Sequence, residues 1–329
     1  MSVSIDMIRE AAAFLNGRIR RTPVEFSPDL SERLGVEVWL KLENLQITGS
    51  FKVRGALFAL HDLHERGIDR VATCSAGNHG RGVAYAAKEL GMEAIIHVPS
   101  SVDAVKLAGM QRDGARVVKS AFPGYDETEV WAKQEAERKG IPFLSAFDDD
   151  RVMAANGGTV AREVQEQVPG ATTFLMPVGG GGHAAGFAYW MKEKQPSCRI
   201  VACQHRGSAA LLRSLEAGHA ITEMPAIDTL AGGLEGGLGV KTFEVLRSRV
   251  DDVRTVDEQA LRRALRWMVD QHQLIMEGSC AVAIAAALDP AFPKPDGPVV
   301  IFISGRNIAR QALANVLSDV LSDVLSEAD

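Results

Sequence analysis

Residues 173–178 read Thr-Phe-Leu-Met-Pro-Val, and Gly179, Gly180, Gly181 and Gly182 follow them directly. An apolar run, a glycine turn and then a helical run at 183–194 make one strand-turn-helix step. Steps of this kind lead each strand into a crossover helix, so a chain that repeats them is committed to a parallel sheet covered by helices. The rhythm starts earlier in the chain. It predicts a strand at 71–74, a turn at 75–80, a helix at 83–90 closed by Gly91, and a strand at 94–98 stopped by Pro99. A helix at 102–112, a strand at 115–118, a helix at 125–139 and a short strand at 142–144 complete a compact βαβ series. The second series has a helix at 160–167, the strand before the glycines, a strand at 199–203 and a helix at 208–217. A Gly-rich loop at 229–240, close to a ligand, separates these from helices at 257–271 (Leu261, Leu265 and Met268 on one side) and 278–288, the latter Ala-rich and buried. A strand at 299–303 ends the series.

The N-terminal part has its own elements. Residues 4–17 are expected to form a helix with Ile5, Ile8, Ala12 and Leu15 on one face. Thr22-Pro23 breaks it, a helix at 29–34 ends at Gly35, and 36–42 alternates as a strand. A helix at 54–66 follows. The expected fold class is α/β, with two doubly wound domains and mainly parallel sheets. Residues 1–69 and 148–329 would form a large domain, and 70–147 a small mobile one. The tail repeats Val-Leu-Ser-Asp from Val316, which gives an amphipathic stripe. It suits a closing helix packed on its own domain or an oligomer contact.

Composition excludes some function classes. A net charge of −6 over 329 residues argues against nucleic-acid binding, and no apolar run reaches the length of a membrane span. The N-terminus lacks the basic then apolar pattern of a signal sequence. Cys74, Cys198, Cys203 and Cys280 show no CxxC spacing and are expected as buried free thiols in a reducing cytoplasm.

Two stretches carry chemistry. Lys52 stands behind a tight Thr48-Gly49-Ser50 turn and ahead of an apolar helical run. A desolvated amine there would have a lowered pKa and could attack a carbonyl. The alternative is an ordinary solvated lysine at a helix start. The tetraglycine run presents backbone N–H groups at a helix start, which suits a phosphate, although glycines also mark tight packing. Nucleotide fingerprints fit less well, because no G-x-G-x-x-G opens the first βαβ unit and no Gly-Lys-Ser/Thr ends the run.

Four segments occur in order: Ser50-Phe51-Lys52-Val53-Arg54-Gly55, Ser75-Ala76-Gly77-Asn78-His79, the tetraglycine, and Ser304-Gly305-Arg306-Asn307. Together they resemble the fold-type II (tryptophan synthase β-like) pyridoxal-phosphate enzymes, within them the threonine/serine dehydratase and serine racemase group. The resemblance runs from Thr22-Pro23 to Asn307. It implies pyridoxal 5'-phosphate as cofactor, with its phosphate on Gly179, Gly180, Gly181 and Gly182. It implies that Lys52 forms the Schiff base and takes the substrate Cα proton, with Phe51 beside the cofactor ring. Asn78 would donate to the cofactor's phenolic oxygen without adding charge. Ser75, Ala76, Gly77 and His79 would hold the substrate carboxylate through backbone N–H groups, His79 serving more as a structural hydrogen-bonder than as an acid or base. Ser304 would stand beside the pyridine nitrogen and leave it largely unprotonated, which favours elimination of a β-hydroxyl. Glu277 falls near the cofactor, in a structural or a direct role. The activity implied is that of an ammonia-lyase on a β-hydroxy L-amino acid, in a homodimer or homotetramer. Its partner would be a small-molecule amino-acid substrate.

The sequence also departs from the family pattern. Ala76 stands where serine racemases carry a second serine, so racemisation is not expected. Gln204 and Ala210 stand where metal-binding members carry acidic residues, so no metal is expected at that site. Gly157, Gly232 and Arg306 replace a usual Gln, Asp and Gly. Two lost side chains and one added guanidinium suggest a substrate larger than threonine, such as the hydroxylated diamino acid of a hydroxyectoine-degrading branch. The chain stops near the catalytic core, so feedback by isoleucine is not expected. Rival expectations are a β-replacement enzyme of the same fold and a non-catalytic ligand sensor.

Overall fold

The computed structural model describes residues 3–102 and 104–318. Its helices are α1 (Ile5–Leu15), α2 (Pro28–Leu34), α3 (Lys52–Glu65), α4 (Asn78–Leu90), α5 (Ala104–Arg112), α6 (Tyr125–Arg138) and α7 (Asp150–Met153). They continue with α8 (Thr159–Gln167), α9 (Gly182–Lys194), α10 (Ala210–Ala217), α11 (Val240–Leu246), α12 (Glu258–His272), α13 (Gly278–Leu288) and α14 (Arg310–Ser318). The strands are β1 (Val24–Phe26), β2 (Val38–Lys41), β3 (Arg70–Cys74), β4 (Glu93–Val98), β5 (Arg116–Lys119), β6 (Thr173–Pro177), β7 (Arg199–His205), β8 (Asp252–Val256) and β9 (Val299–Phe302).

Two sheets organise the chain. Six strands form one in the order β1-β2-β9-β6-β7-β8, and β3-β4-β5 form the other. Every pairing is parallel except β1 with β2. The central strands are buried on both faces, as a parallel sheet under helices requires. Val299 and Ile301 of β9 point into one apolar cluster with Leu261, Leu265 and Met268 of α12 and most of α13. Val300 and Phe302 point into the opposite cluster with Phe174, Phe187 and Trp190. This is the expected α/β class with doubly wound, mainly parallel sheets.

Some local expectations change. In α1, Ala11 rather than Ala12 joins Ile8 and Leu15 in the core. Helix α3 starts at Lys52 and α4 at Asn78, earlier than the apolar periodicity alone marks them. Residues 142–144 make no strand, only a bridge from Phe143 to Ala72. Strands β1 and β8 and helices α7 and α11 were not anticipated; the strands are partly exposed edge segments with little apolar patterning. In the tail, Val316 packs into the core cluster, as a closing helix would. The later repeats lie outside the described residues.

One distortion positions the site. Between α7 and α8 the chain makes a π-type turn over Ala154–Gly158. Its glycines let two helices touch backbone to backbone: a Cβ on Gly157 would meet the His183 carbonyl oxygen at 2.0 Å, and one on Gly186 would meet that of Met153 at 1.8 Å. Gly157 therefore serves packing against α9. The expectation that it leaves room for a larger substrate is overturned. Among the described residues, no helix is long and apolar enough to cross a membrane.

Candidate active site

The lysine turn is fastened to the turn that follows β9. Arg306 N–H donates to the Gly49 carbonyl at 2.9 Å, Phe51 N–H donates to the Ser304 carbonyl at 3.3 Å, and Ser50 bridges Gly305. Gly49 has φ +80°, and Asn307 sits against it so closely that a Cβ would meet its Oδ1 at 2.7 Å. Lys52 and Ser304 are thus brought together although 252 residues separate them (304 − 52).

Lys52 is partly buried, and its Nζ donates to the Ala146 carbonyl at 2.9 Å. Protein atoms crowd the amine, so desolvation brings its pKa down to about 8, while Glu277 pulls it back up. Among the described residues, no carboxylate pairs with it directly. Two residues on, Arg54 is buried and gripped by Glu43 and Glu163, and Glu163 also binds Lys41. Those ion pairs pin the start of α3 to β2 and α8.

Phe51 stacks on His183, ring centroids 4.4 Å apart. His183 follows the glycine loop. Both its ring nitrogens are buried without a partner, and burial pushes its pKa down to about 3, so the ring is neutral. In the loop itself Gly181 has φ +93°, a conformation that favours glycine. Thr242 Oγ1 donates to the Gly180 carbonyl at 2.8 Å, and a Cβ at Gly180 would meet the Phe147 ring at 2.3 Å. The loop opens α9, whose first N–H groups and dipole favour an anion.

Across the site, Asn78 opens α4. Its Nδ2 donates to both Glu277 oxygens, at 2.7 and 2.9 Å, and its Oδ1 accepts from Asn307 Nδ2 at 2.6 Å. Ser75, Ala76 and Gly77 form the loop before it, with Gly77 N–H donating to Ser75 Oγ. His79 is buried, shares a hydrogen bond of 3.0 Å with Thr73 Oγ1, and is held neutral by burial with a pKa down to about 3. That environment suits a structural role. Ser304 Oγ lies 3.2 Å from Cys280 Sγ, whose thiol burial pushes up to about 12.

Other sequence-derived residues lie at the surface or spend their side chains elsewhere. Arg306 is exposed, and Gly232 is exposed in a loop. Gln204 spends its amide on the backbone of Val178 and Leu212. No group of three potential metal-ligating side chains occurs among the described residues. Cys280, His183 and Phe147 were missed; they are apolar-run or loop residues with no pattern of their own. Asn307 was visible only as the last letter of its motif. A surface cleft of about 330 Å³, lined by Phe122, Val130, Trp131 and Glu223, touches none of the site residues.

Residues 15–305 match the family described as "Pyridoxal-phosphate dependent enzyme". The chain belongs to the pyridoxal-phosphate dependent enzymes. It is 37% identical over 304 residues to an L-threonine ammonia-lyase of Geobacter sulfurreducens, covering 92% of this chain and 75% of that one. It is 33% identical over 315 residues to a serine racemase of Oryza sativa subsp. indica, covering 93% and 91%. Among solved structures, maize serine racemase superposes with a TM-score of 0.89 at 32% identity, over 98% of this chain and 99% of that one. These neighbours share the fold-type II architecture.

The residues of this pyridoxal-phosphate dependent enzyme fit its cofactor. A lysine amine with depressed pKa, without a carboxylate partner among the described residues, faces the site. A glycine cradle that any Cβ would fill opens a helix N-terminus. An amide donor, Asn78, and a neutral hydroxyl, Ser304, face it from other elements. Lys52, Phe51, Asn78, the four glycines and Ser304 would hold the cofactor.

Proposed function

We propose that the enzyme is an ammonia-lyase that converts a β-hydroxy L-amino acid of the threonine or serine type to a 2-oxo acid and ammonia. One observation carries it: Lys52 brings a basic amine to the site, while Ala76, in the loop where a second base would stand, carries only a methyl group. The names of the ammonia-lyase relatives support the same reaction.

When bound, pyridoxal phosphate supplies an electron sink for the negative charge left at the substrate Cα. The chain does the rest. The N–H groups of the loop at 75–79, at the N-terminus of α4, hold the substrate carboxylate. Lys52 Nζ takes the Cα proton; with its pKa near 8, roughly a tenth of the amine is neutral at pH 7, against roughly one part in three thousand for a free lysine. The β-hydroxyl leaves with a proton as water, and hydrolysis of the released enamine gives the 2-oxo acid and ammonia. Ser304 holds a neutral hydroxyl in place and adds no proton to the ring nitrogen. Residues 70–147 act as a small domain that closes over the substrate and excludes water. In this reading the enzyme is a cytoplasmic homo-oligomer, a dimer or tetramer, which light scattering of the purified protein tests.

A second reading, a larger β-hydroxy amino acid such as a hydroxylated diamino acid, rests on Arg306, whose exposed guanidinium follows the Ser304 turn and has no hydrogen bond or ion pair among the described residues. The test of both is release of 2-oxo acid and ammonia from L-threonine, L-serine, D-serine, 3-hydroxyaspartate and 3-hydroxy-2,4-diaminobutyrate. Turnover best on L-threonine or L-serine supports the main proposal. Turnover only on a larger compound, lost in Arg306→Gly, supports the second. Turnover of D-serine overturns the role given to Ala76.

A further inference from the structure

An asparagine amide has a donor end and an acceptor end, and a phenolate oxygen is stabilised only by the donor. Something must therefore decide which end Asn78 turns toward the cofactor. The hydrogen bonds around it supply a polarity. Arg81, one turn along α4, donates from Nη1 to Asn307 Oδ1 at 2.5 Å. Asn307 Nδ2 donates to the Thr48 carbonyl at 3.0 Å and to Asn78 Oδ1 at 2.6 Å. Asn78 Nδ2 then donates to the Glu277 carboxylate.

The two ends of this chain are not interchangeable. A guanidinium can only donate, and a backbone carbonyl can only accept. Asn307 is pinned between them, oxygen toward Arg81 and nitrogen toward Thr48. An inverted Asn78 would set two NH₂ groups against each other. In the orientation observed, the donor end of Asn78 already meets anionic oxygens, those of Glu277.

We propose that Arg81 is a positioning residue which, through Asn307, fixes the Asn78 amide with its donor end toward the cofactor's phenolic oxygen. The inference rests on the reading that Asn78 holds that oxygen. It concerns orientation, so its consequence is selective. Disturbing the chain weakens binding of a cofactor that has the oxygen and spares one that lacks it.

The experiment is equilibrium binding of pyridoxal 5'-phosphate and of 3-deoxypyridoxal 5'-phosphate to the apo-protein, for the wild type, Asn78→Ala, Arg81→Met, Arg81→Lys and Asn307→Asp. Asn307→Asp is the decisive variant. Its carboxylate still accepts from Arg81, but it can no longer donate to Asn78; it attracts the Asn78 donor end toward itself and leaves only Glu277 to hold that end toward the site. Arg81→Met and Asn307→Asp are expected to weaken pyridoxal phosphate about tenfold, the scale of one charge-assisted hydrogen bond, and to leave the deoxy form unchanged. Arg81→Lys, which keeps a donor, is expected to recover part of the loss. Equal loss for both compounds, or none for either, in Arg81→Met and Asn307→Asp overturns the proposal while Asn78→Ala stays selective. If Asn78→Ala is itself unselective, the role given to Asn78 falls, and this proposal with it. Should Arg81→Met fail to fold, Arg81→Lys and Asn307→Asp still decide.

Discussion

Arg54 and Glu43 face each other in the protein interior, joined by two hydrogen bonds of 2.8 Å each. Arg54 sits two residues beyond Lys52 in α3, where a shift of the helix would carry the amine with it. Breaking a buried pair strands a charge, which costs about 3–5 kcal/mol. Arg54→Leu is therefore expected to lose about that much stability, read as a lower urea midpoint of the apo-protein. A loss below about 1 kcal/mol would show that the remaining cluster re-pairs Glu43 without it.

Acid stability should follow the two buried histidines. His79 and His183 take up a proton in the fold only near pH 3, because burial opposes the charge, whereas an unfolded histidine does so near 6.5. Between those values the unfolded chain binds more protons, so stability falls as the pH drops, by about 1.4 kcal/mol per pH unit for each histidine. Urea titrations at pH 6.5 and 4.5 measure the slope. His183→Leu should reduce it by one proton, and an unchanged slope would contradict the neutral buried ring.

Gly157 gives a test that separates packing from specificity. Restoring glutamine there would drive its Cβ onto the His183 carbonyl oxygen. Gly157→Gln should lower the melting temperature and the yield of folded protein, and any folded fraction should keep its order of substrate preference. A stable variant with altered preference would return Gly157 to the substrate pocket.

Capture of pyridoxal phosphate should depend on the neutral Lys52 amine. Its rate is expected to rise with pH through about 8 and then level off. Since Glu277 raises this pKa, Glu277→Gln should move the midpoint lower. Borohydride reduction and peptide mapping should place the label on Lys52, and label on another lysine would remove its assigned role.

The four thiols should be silent in the folded protein. All are buried, and desolvation pushes Cys198 up to about 11 and Cys74 and Cys280 to about 12, with Cys203 higher still. A thiol reagent at pH 8 should titrate none in the native state and four after denaturation. Fast reaction of one thiol in the native protein would mean that its segment opens.

Much of this is legible in the sequence. The strand-glycine-helix step at 173–194 formed as expected because each part depends on near neighbours: an apolar run buried on both faces, glycines that tolerate φ +93°, and a helical run after them. The starts of α3 and α4 were misplaced for the same reason. Lys52 and Asn78 are polar, and an apolar period cannot include them, although tertiary contacts hold both within their helices.

By itself the sequence determined the α/β order of the elements, the glycine loop, and the position of one lysine at a turn before a helix, since local periodicity and backbone sterics suffice for these. Only the tertiary structure decided which segments meet. Asn307 reaches Asn78 across 229 residues, and Arg54 reaches Glu163 across 109. Gly157 is glycine because of a helix that approaches it from 26 residues away (183 − 157). Such contacts depend on the mutual packing of distant elements, and no short-range pattern in a chain encodes them.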